Sequence, residues 1–311
     1  MRAHRRRTSA AAVVVGASVL LSACTSPSTE EPGPSSGGLT VLASFYALQY
    51  VAEQVGGDQV RVTPLTPPGA EPHDVELSPR QVREVGDADV VLYLGGFQPA
   101  VDDAVAARSP EHLVDAARTP AVAEHLGEQD TDTDDGDGHG DEDPHFWLDP
   151  TLLAAVAQDV AVVLGEADPA HADTYSENAQ ALAGDLDELD AELSNGLATC
   201  ERRVVVTAHE AFGFLAERYD LDQVGISGLD PESEPSPARL REIRDVVTEH
   251  GVTTIFTEAL LNPKVSQTLA EDLGVSTAVL DPVESQVDPA TDYRGAMDLN
   301  LAALREALGC T

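Results

Sequence analysis

Four side chains of this sequence have the types and spacing to share one metal ion. His73 stands in GAEPHDVELSP, His145 in DPHFWLDP, His209 in TAHEAFGF and Asp281 in VLDPVES, at intervals of 72, 64 and 72 residues. A neutral imidazole offers a nitrogen lone pair and a carboxylate an oxygen. Three nitrogens with one oxygen suit tetrahedral Zn²⁺, whereas Ca²⁺ wants mostly oxygen. Taken singly, each histidine also has an ordinary structural reading. The shared setting makes the set a candidate, because His73, His209 and Asp281 follow strand-like runs, where ligands of open α/β sheets collect, and His145 directly precedes a helix start. His112, His125, His171 and His250 sit among charged or small residues and read as solvated surface, and His4 lies in the leader.

Those loops need elements to carry them. Residues 39–43, 59–65 and 89–94 read as strands from their apolar character, and Ser78-Pro79 opens a helix with a cap and a first-turn proline. Asp149-Pro150 announces another helix in the same way. The second half alternates more regularly: strands over 203–207, 222–226, 252–257 and 275–280, and helices over 210–219, 237–250, 263–273 and 293–308. Alternating β and α elements predict parallel sheets covered on both faces. Between the halves, Ala179, Leu182, Leu186, Leu189, Leu193 and Leu197 recur at steps of three and four. They make one apolar stripe on a long helix, either a spine between two lobes or a coiled-coil surface for a partner.

The chain carries 18 basic and 55 acidic residues among 311, a net charge of −37. Such a body repels nucleic acid and anionic lipid and concentrates cations. Arg2, Arg5, Arg6 and Arg7 precede a short apolar run, Ala10 to Leu21, which suits a secretion signal better than a membrane span. Leu21-Ser22-Ala23-Cys24 is similar to a bacterial lipoprotein signal, which makes Cys24 the expected lipid-bearing residue. Residues 25–38 are rich in Ser, Pro and Gly and read as a tether. Cys200 and Cys310 are free to pair in an exported chain; joint metal ligation is the weaker reading, as neither has a Cys or His at ligand spacing. The acidic run after Asp130 fails the EF-hand pattern, with Asp135 where glycine and Asp141 where glutamate is required. It reads as a solvated insertion before His145.

The four quoted stretches, with EPSPARL after the third, resemble in order the motifs of the solute-binding lipoproteins of zinc and manganese ABC importers, over residues 39–310. The resemblance implies two βα lobes with mainly parallel sheets, joined by one long spine helix, with the metal site in the interlobe cleft and modest lobe motion. The expected organisation is a signal peptide over 1–23, a tether over 24–38, an N-terminal lobe over 39–165 with an acidic mobile loop over 124–143, a linking helix over 166–199, and a C-terminal lobe over 200–311. It implies His73, His145, His209 and Asp281 as ligands. Glu258 and Glu71 are reserves for the fourth, and Glu258 is alternatively a partner that orients an imidazole. His139 in the acidic loop implies weak capture at most. Manganese-selective relatives commonly place glutamate at the third position, so His209 points to zinc.

The function implied is an extracytoplasmic receptor, lipid-anchored at the cell membrane through Cys24 and monomeric, that binds one Zn²⁺ tightly and delivers it to a permease and ATPase. Manganese capture by the same kind of receptor is the alternative. A zinc-dependent hydrolase is the alternative of another class, but four ligands would close the open position that a catalytic zinc keeps. The expected protein is not an enzyme.

Overall fold

The structure, a computed structural model, describes residues 38–129 and 143–311. The expected signal, the lipidation residue Cys24, the tether up to residue 37 and His139 lie outside those residues.

Each half of the described chain, whose residues fall in one compact unit, builds a four-stranded parallel sheet by the same plan. In the first half β1 (Leu39–Ala43), α1 (Tyr46–Gly56), β2 (Val60–Pro64), α2 (Pro79–Asp87), β3 (Val90–Tyr93), α3 (Pro99–Arg108) and β4 (Leu113–Asp115) follow one another. The sheet order is β2-β1-β3-β4, with Leu39 beside Val60 and Val41 beside Val90. Three helices come next: α4 (Pro120–Gln129), α5 (Pro150–Ala167) and α6 (Ala172–Leu197). The second half then runs β5 (Val204–Thr207), α7 (Gly213–Arg218), β6 (Asp222–Gly225), α8 (Pro237–His250), β7 (Thr254–Thr257), α9 (Lys264–Leu273), β8 (Ser276–Val279) and α10 (Tyr293–Leu308). Its sheet order is β6-β5-β7-β8.

Local chemistry accounts for the boundaries. Ser78 accepts the Gln81 N–H while the Gln81 side chain accepts the Ser78 N–H, a reciprocal cap that starts α2 at Pro79. Asp149 accepts the Thr151 N–H at 2.8 Å ahead of Pro150, and Ser236 caps α8 ahead of Pro237. Two expectations shift. The helix expected from Glu210 begins only at Gly213, and the loop before it is tied to the segment after β6 by the Glu210 N–H, which donates to the Gly228 carbonyl. The acidic stretch expected from residue 124 is entered in helical form, since α4 continues to Gln129.

The long helix α6 has 26 residues, about 39 Å at 1.5 Å per residue. All six predicted stripe residues are buried, together with Tyr175 and Gly196. It packs on α1, α5 and α10, so the stripe is consumed within the chain, as a spine requires. Among the described residues α5 alone is long and apolar enough to cross a membrane. Its Leu152, Leu153, Val156, Val160 and Leu164 are buried inside the fold, which explains its apolar character. One continuous core spans both halves, from Val41 and Phe45 through Trp147 and Leu189 to Phe212, Val283 and Leu308. Strand alternation sends Leu42 and Val91 to a smaller outer core on the first sheet, and Val204 and Val206 to another on the second.

Cys200, just past α6, is disulfide-bonded to Cys310 near the carboxyl end, closing a loop of sequence separation 110. Reducing this bond should lower stability by roughly 4 kcal/mol in the chain-entropy model. A fall in the urea midpoint of the reduced protein checks this.

Candidate metal centre

Four loops meet at the carboxyl ends of the two sheets. His73 lies between β2 and α2, His145 immediately before the Phe146–Leu148 turn that leads into α5, and His209 just past β5. The fourth loop runs from β8 to α10 and brings Glu284. Each of His73, His145, His209 and Glu284 offers one ligand atom, and these atoms all lie within 4.8 Å of one another. Glu284 Oε1 sits 2.8 Å from His145 Nε2, 3.5 Å from His73 Nε2 and 3.6 Å from His209 Nε2. His145, His209 and Glu284 are buried, and the His73 side chain is 15% exposed. Nε2 of both His73 and His209 is buried without a hydrogen-bond partner. Buried polar atoms are rarely left so, and these two nitrogens, with His145 Nε2 beside them, stand around one carboxylate oxygen as a donor set suited to a divalent cation.

The imidazoles are oriented from behind. His145 Nδ1 donates to Asp143 Oδ1 at 2.6 Å, and the His145 N–H donates to the same oxygen at 2.9 Å. His209 Nδ1 donates to Glu258 Oε1 at 2.8 Å. A proton held on Nδ1 leaves the Nε2 lone pair facing the centre. Asp143 reaches this place because residue 213 is glycine: a Cβ there would stand 2.3 Å from Asp143 Oδ2. His73 lies edge-on to Phe97 with ring centroids 4.8 Å apart, and its N–H donates to Glu71 Oε1 at 3.0 Å. Gln98 donates to the neighbouring Pro72 carbonyl. Phe45, Phe97 and Trp147 pack together beside His73 and His145, an apolar wall on that side.

The three histidines read from the sequence thus converge, and the carboxylate chosen with them does not. Asp281 is turned back on its own loop, where Oδ1 accepts the Val283 N–H at 2.8 Å, and it is not one of the four converging groups. Glu284, three residues on in the same VLDPVES stretch, takes the place expected for Asp281. Glu258 and Glu71 support His209 and His73 rather than joining the donor set. Sequence reading passed over Glu284 and Asp143. The signal for Asp143 was its position two residues before His145, the spacing at which a carboxylate can cap both the backbone N–H and the ring of the histidine.

These contacts set the charge state of the metal-free site. Burial pushes the His145 imidazolium down, but the Asp143 and Glu284 carboxylates prevail and raise its pKa from 6.5 to about 9. At His209 burial also acts downward, and Glu258 and Glu284 raise the value to about 10. Burial pushes Glu284 up, but the three imidazoles hold it well below the usual carboxylate range.

Comparisons with known proteins show the family. The family described as the periplasmic zinc-uptake complex component A matches residues 41–307. The high-affinity zinc uptake system protein ZnuA of Bacillus subtilis (strain 168) is 32% identical, with 95% of this chain and 96% of that protein covered. The zinc-binding lipoprotein AdcA of Streptococcus pneumoniae R6 is also 32% identical over 87% of this chain, which spans only 56% of AdcA. The crystal structure of the laminin-binding protein Lbp of Streptococcus pyogenes superposes with a TM-score of 0.75 at 31% identity, covering 87% of this chain and 100% of that one.

Two outcomes follow from the supporting carboxylates. Glu258→Gln should weaken metal binding by roughly 10–100-fold with the metal-free fold retained, which competitive titration beside circular dichroism would check. Imidazoles whose pKa is raised carry protons at neutral pH, and an incoming cation must expel them. Apparent affinity should therefore climb with pH through neutrality until about pH 9–10. The same ion pairs stabilise the metal-free fold fully below pH 6.5, and that contribution is lost as pH rises through 9 and 10. Calorimetry at pH 7.5 in buffers of different ionisation enthalpy should register about two protons released per ion; no release would mean that both imidazoles are already neutral.

Proposed function

Because this chain belongs to the family of periplasmic zinc-uptake components, we propose that it captures Zn²⁺ with His73, His145, His209 and Glu284 and passes it to an importer. It is a zinc-binding receptor, and the receptors of this family work with a permease and ATPase of the ABC type. The observation that carries the ligand assignment is the convergence of three Nε2 atoms and Glu284 Oε1 within 4.8 Å. Zinc has no geometric preference from its d electrons and accepts three nitrogens and one oxygen in a tetrahedron. Manganese is bound more weakly than zinc by a nitrogen-rich set and is better suited by oxygen ligands. Here two of the nearby carboxylates, Asp143 and Glu258, are turned to ring Nδ1 atoms, which leaves the centre rich in nitrogen.

Four protein ligands also speak against a hydrolytic centre, which keeps one position for water. The receptor works outside the cytoplasm, and its negative body draws cations toward the site. We place it at the membrane surface through lipid on Cys24, as a monomer. The acidic stretch with His139 stands close before His145 in the chain, and our reading gives it no more than electrostatic attraction.

Competitive titration of the purified protein with Zn²⁺ and Mn²⁺ tests this reading. We expect one tight zinc site and much weaker manganese binding. His209→Ala and Glu284→Ala should each cost more zinc affinity than the roughly 10–100-fold typical of losing an outer partner. Manganese bound as tightly as zinc would sink the zinc reading, and an unaffected Glu284→Ala would sink the ligand set.

A further inference from the structure

The turn that delivers Glu284 is held by hydrogen bonds along its length. The Asp281 N–H donates to Asn300 Oδ1 at 2.8 Å, and Asn300 Nδ2 donates back to the Asp281 carbonyl at 2.7 Å. Asn300 is buried on α10, so this two-point clamp anchors the turn to a helix of the second half. Trp147 Nε1 donates to the Pro282 carbonyl at 2.7 Å. The Val283 N–H donates to Asp281 Oδ1. The Tyr46 N–H donates to the Glu284 carbonyl at 3.2 Å, and the Gly69 N–H, from the loop that carries His73, donates to Ser285 Oγ at 2.8 Å.

Val283 explains why so much restraint is needed. Its φ is 57°, the left-handed region that a β-branched residue avoids. Strain of this kind persists only where the surroundings over-determine the backbone, and it gathers at ligand clamps. In the relaxed form of this turn residue 283 would return to negative φ, and the residue after it would leave the direction of the three imidazoles. The Asp281 carboxylate accepts the N–H of the strained residue itself, and it has no place among the four converging groups.

We infer that Asp281, clamped by Asn300, is a positioning residue that holds Val283 in the left-handed conformation and thereby aims the Glu284 carboxylate at the metal. The inference rests on Glu284 as the fourth ligand and goes beyond it by assigning what makes that ligand available. Asp281 acts as a hydrogen-bond acceptor and not as a charge or a ligand, so a neutral acceptor of the same shape should serve.

A double-mutant cycle on the purified protein decides it, with zinc affinity read by competitive titration and the metal-free fold by thermal unfolding. Asp281→Ala should weaken zinc binding by roughly 10–100-fold, and Asp281→Asn, which keeps the Oδ1 acceptor, should stay close to wild type. In a Glu284→Ala background, Asp281→Ala should cost nothing further, because there is no carboxylate left to aim. Equal losses in both backgrounds would overturn the inference in favour of a general structural role. Asp281→Asn as weak as Asp281→Ala would overturn it in favour of charge or direct ligation. Glu284→Ala alone fixes the premise: unchanged affinity there removes the ligand reading itself, and the inference with it. Should Asp281→Ala not fold, Asn300→Ser carries the same cycle, since serine cannot bridge both the N–H and the carbonyl of Asp281.

Discussion

Glu284 buries its carboxylate at 2% exposure, where an ionised group left unpaired would cost several kcal/mol. Three imidazole nitrogens from three other loops stand around its Oε1 at 2.8, 3.5 and 3.6 Å. The pairing has to be met by protons on the imidazoles or by a cation among them, and both states use the same four atoms. Asp143 and Glu258 then answer the positive charge from behind His145 and His209. The centre is thus a nest of charges that can be buried only as a set, and the loops that bring them must all be in place together.

That demand explains why the two sheets share a single core. Trp147 reaches across to the Pro282 carbonyl while the Tyr293 hydroxyl reaches back to the Trp147 carbonyl at 2.6 Å. Both rings are fully buried in the cluster that joins the halves. With α6 running along α1, α5 and α10, a wide hinge would have to break close-packed interior contacts, which interiors resist. The freedom that remains belongs to the loops. Val283 holds its left-handed conformation at a cost on the order of 1–3 kcal/mol, next to Glu284.

Much of the scaffold was legible from short-range chemistry. The caps at Ser78, Asp149 and Ser236 act over two or three residues, and the helices they start begin where the sequence places them. The α6 stripe is a pure periodicity, and every member of it is buried. The elements passed over were α3 and β4, which lack a marked apolar face or run to three residues, and α4, whose second half falls where a loop was expected; α3 and β4 are placed by packing against α2 and β3. The late start of α7 was also beyond local reading: the loop before it is tied by the Glu210 N–H to Gly228, a contact made across β6.

At the site the division is equally physical. Residue type, a shared setting in loops and the order of the motifs were enough to select His73, His145 and His209 as a set, and each motif holds only one imidazole. The choice between two carboxylates three residues apart, Asp281 and Glu284, could not be made along the chain. It depends on the left-handed turn at Val283, and that turn is held by Asn300, Trp147 and Tyr46, the last of them 238 residues (284 − 46) from the glutamate in the chain. Sequence alone therefore determined which groups were available; the tertiary structure decided which carboxylate oxygen joins the three imidazoles, since a side chain's direction is set by backbone conformation that only distant neighbours can hold.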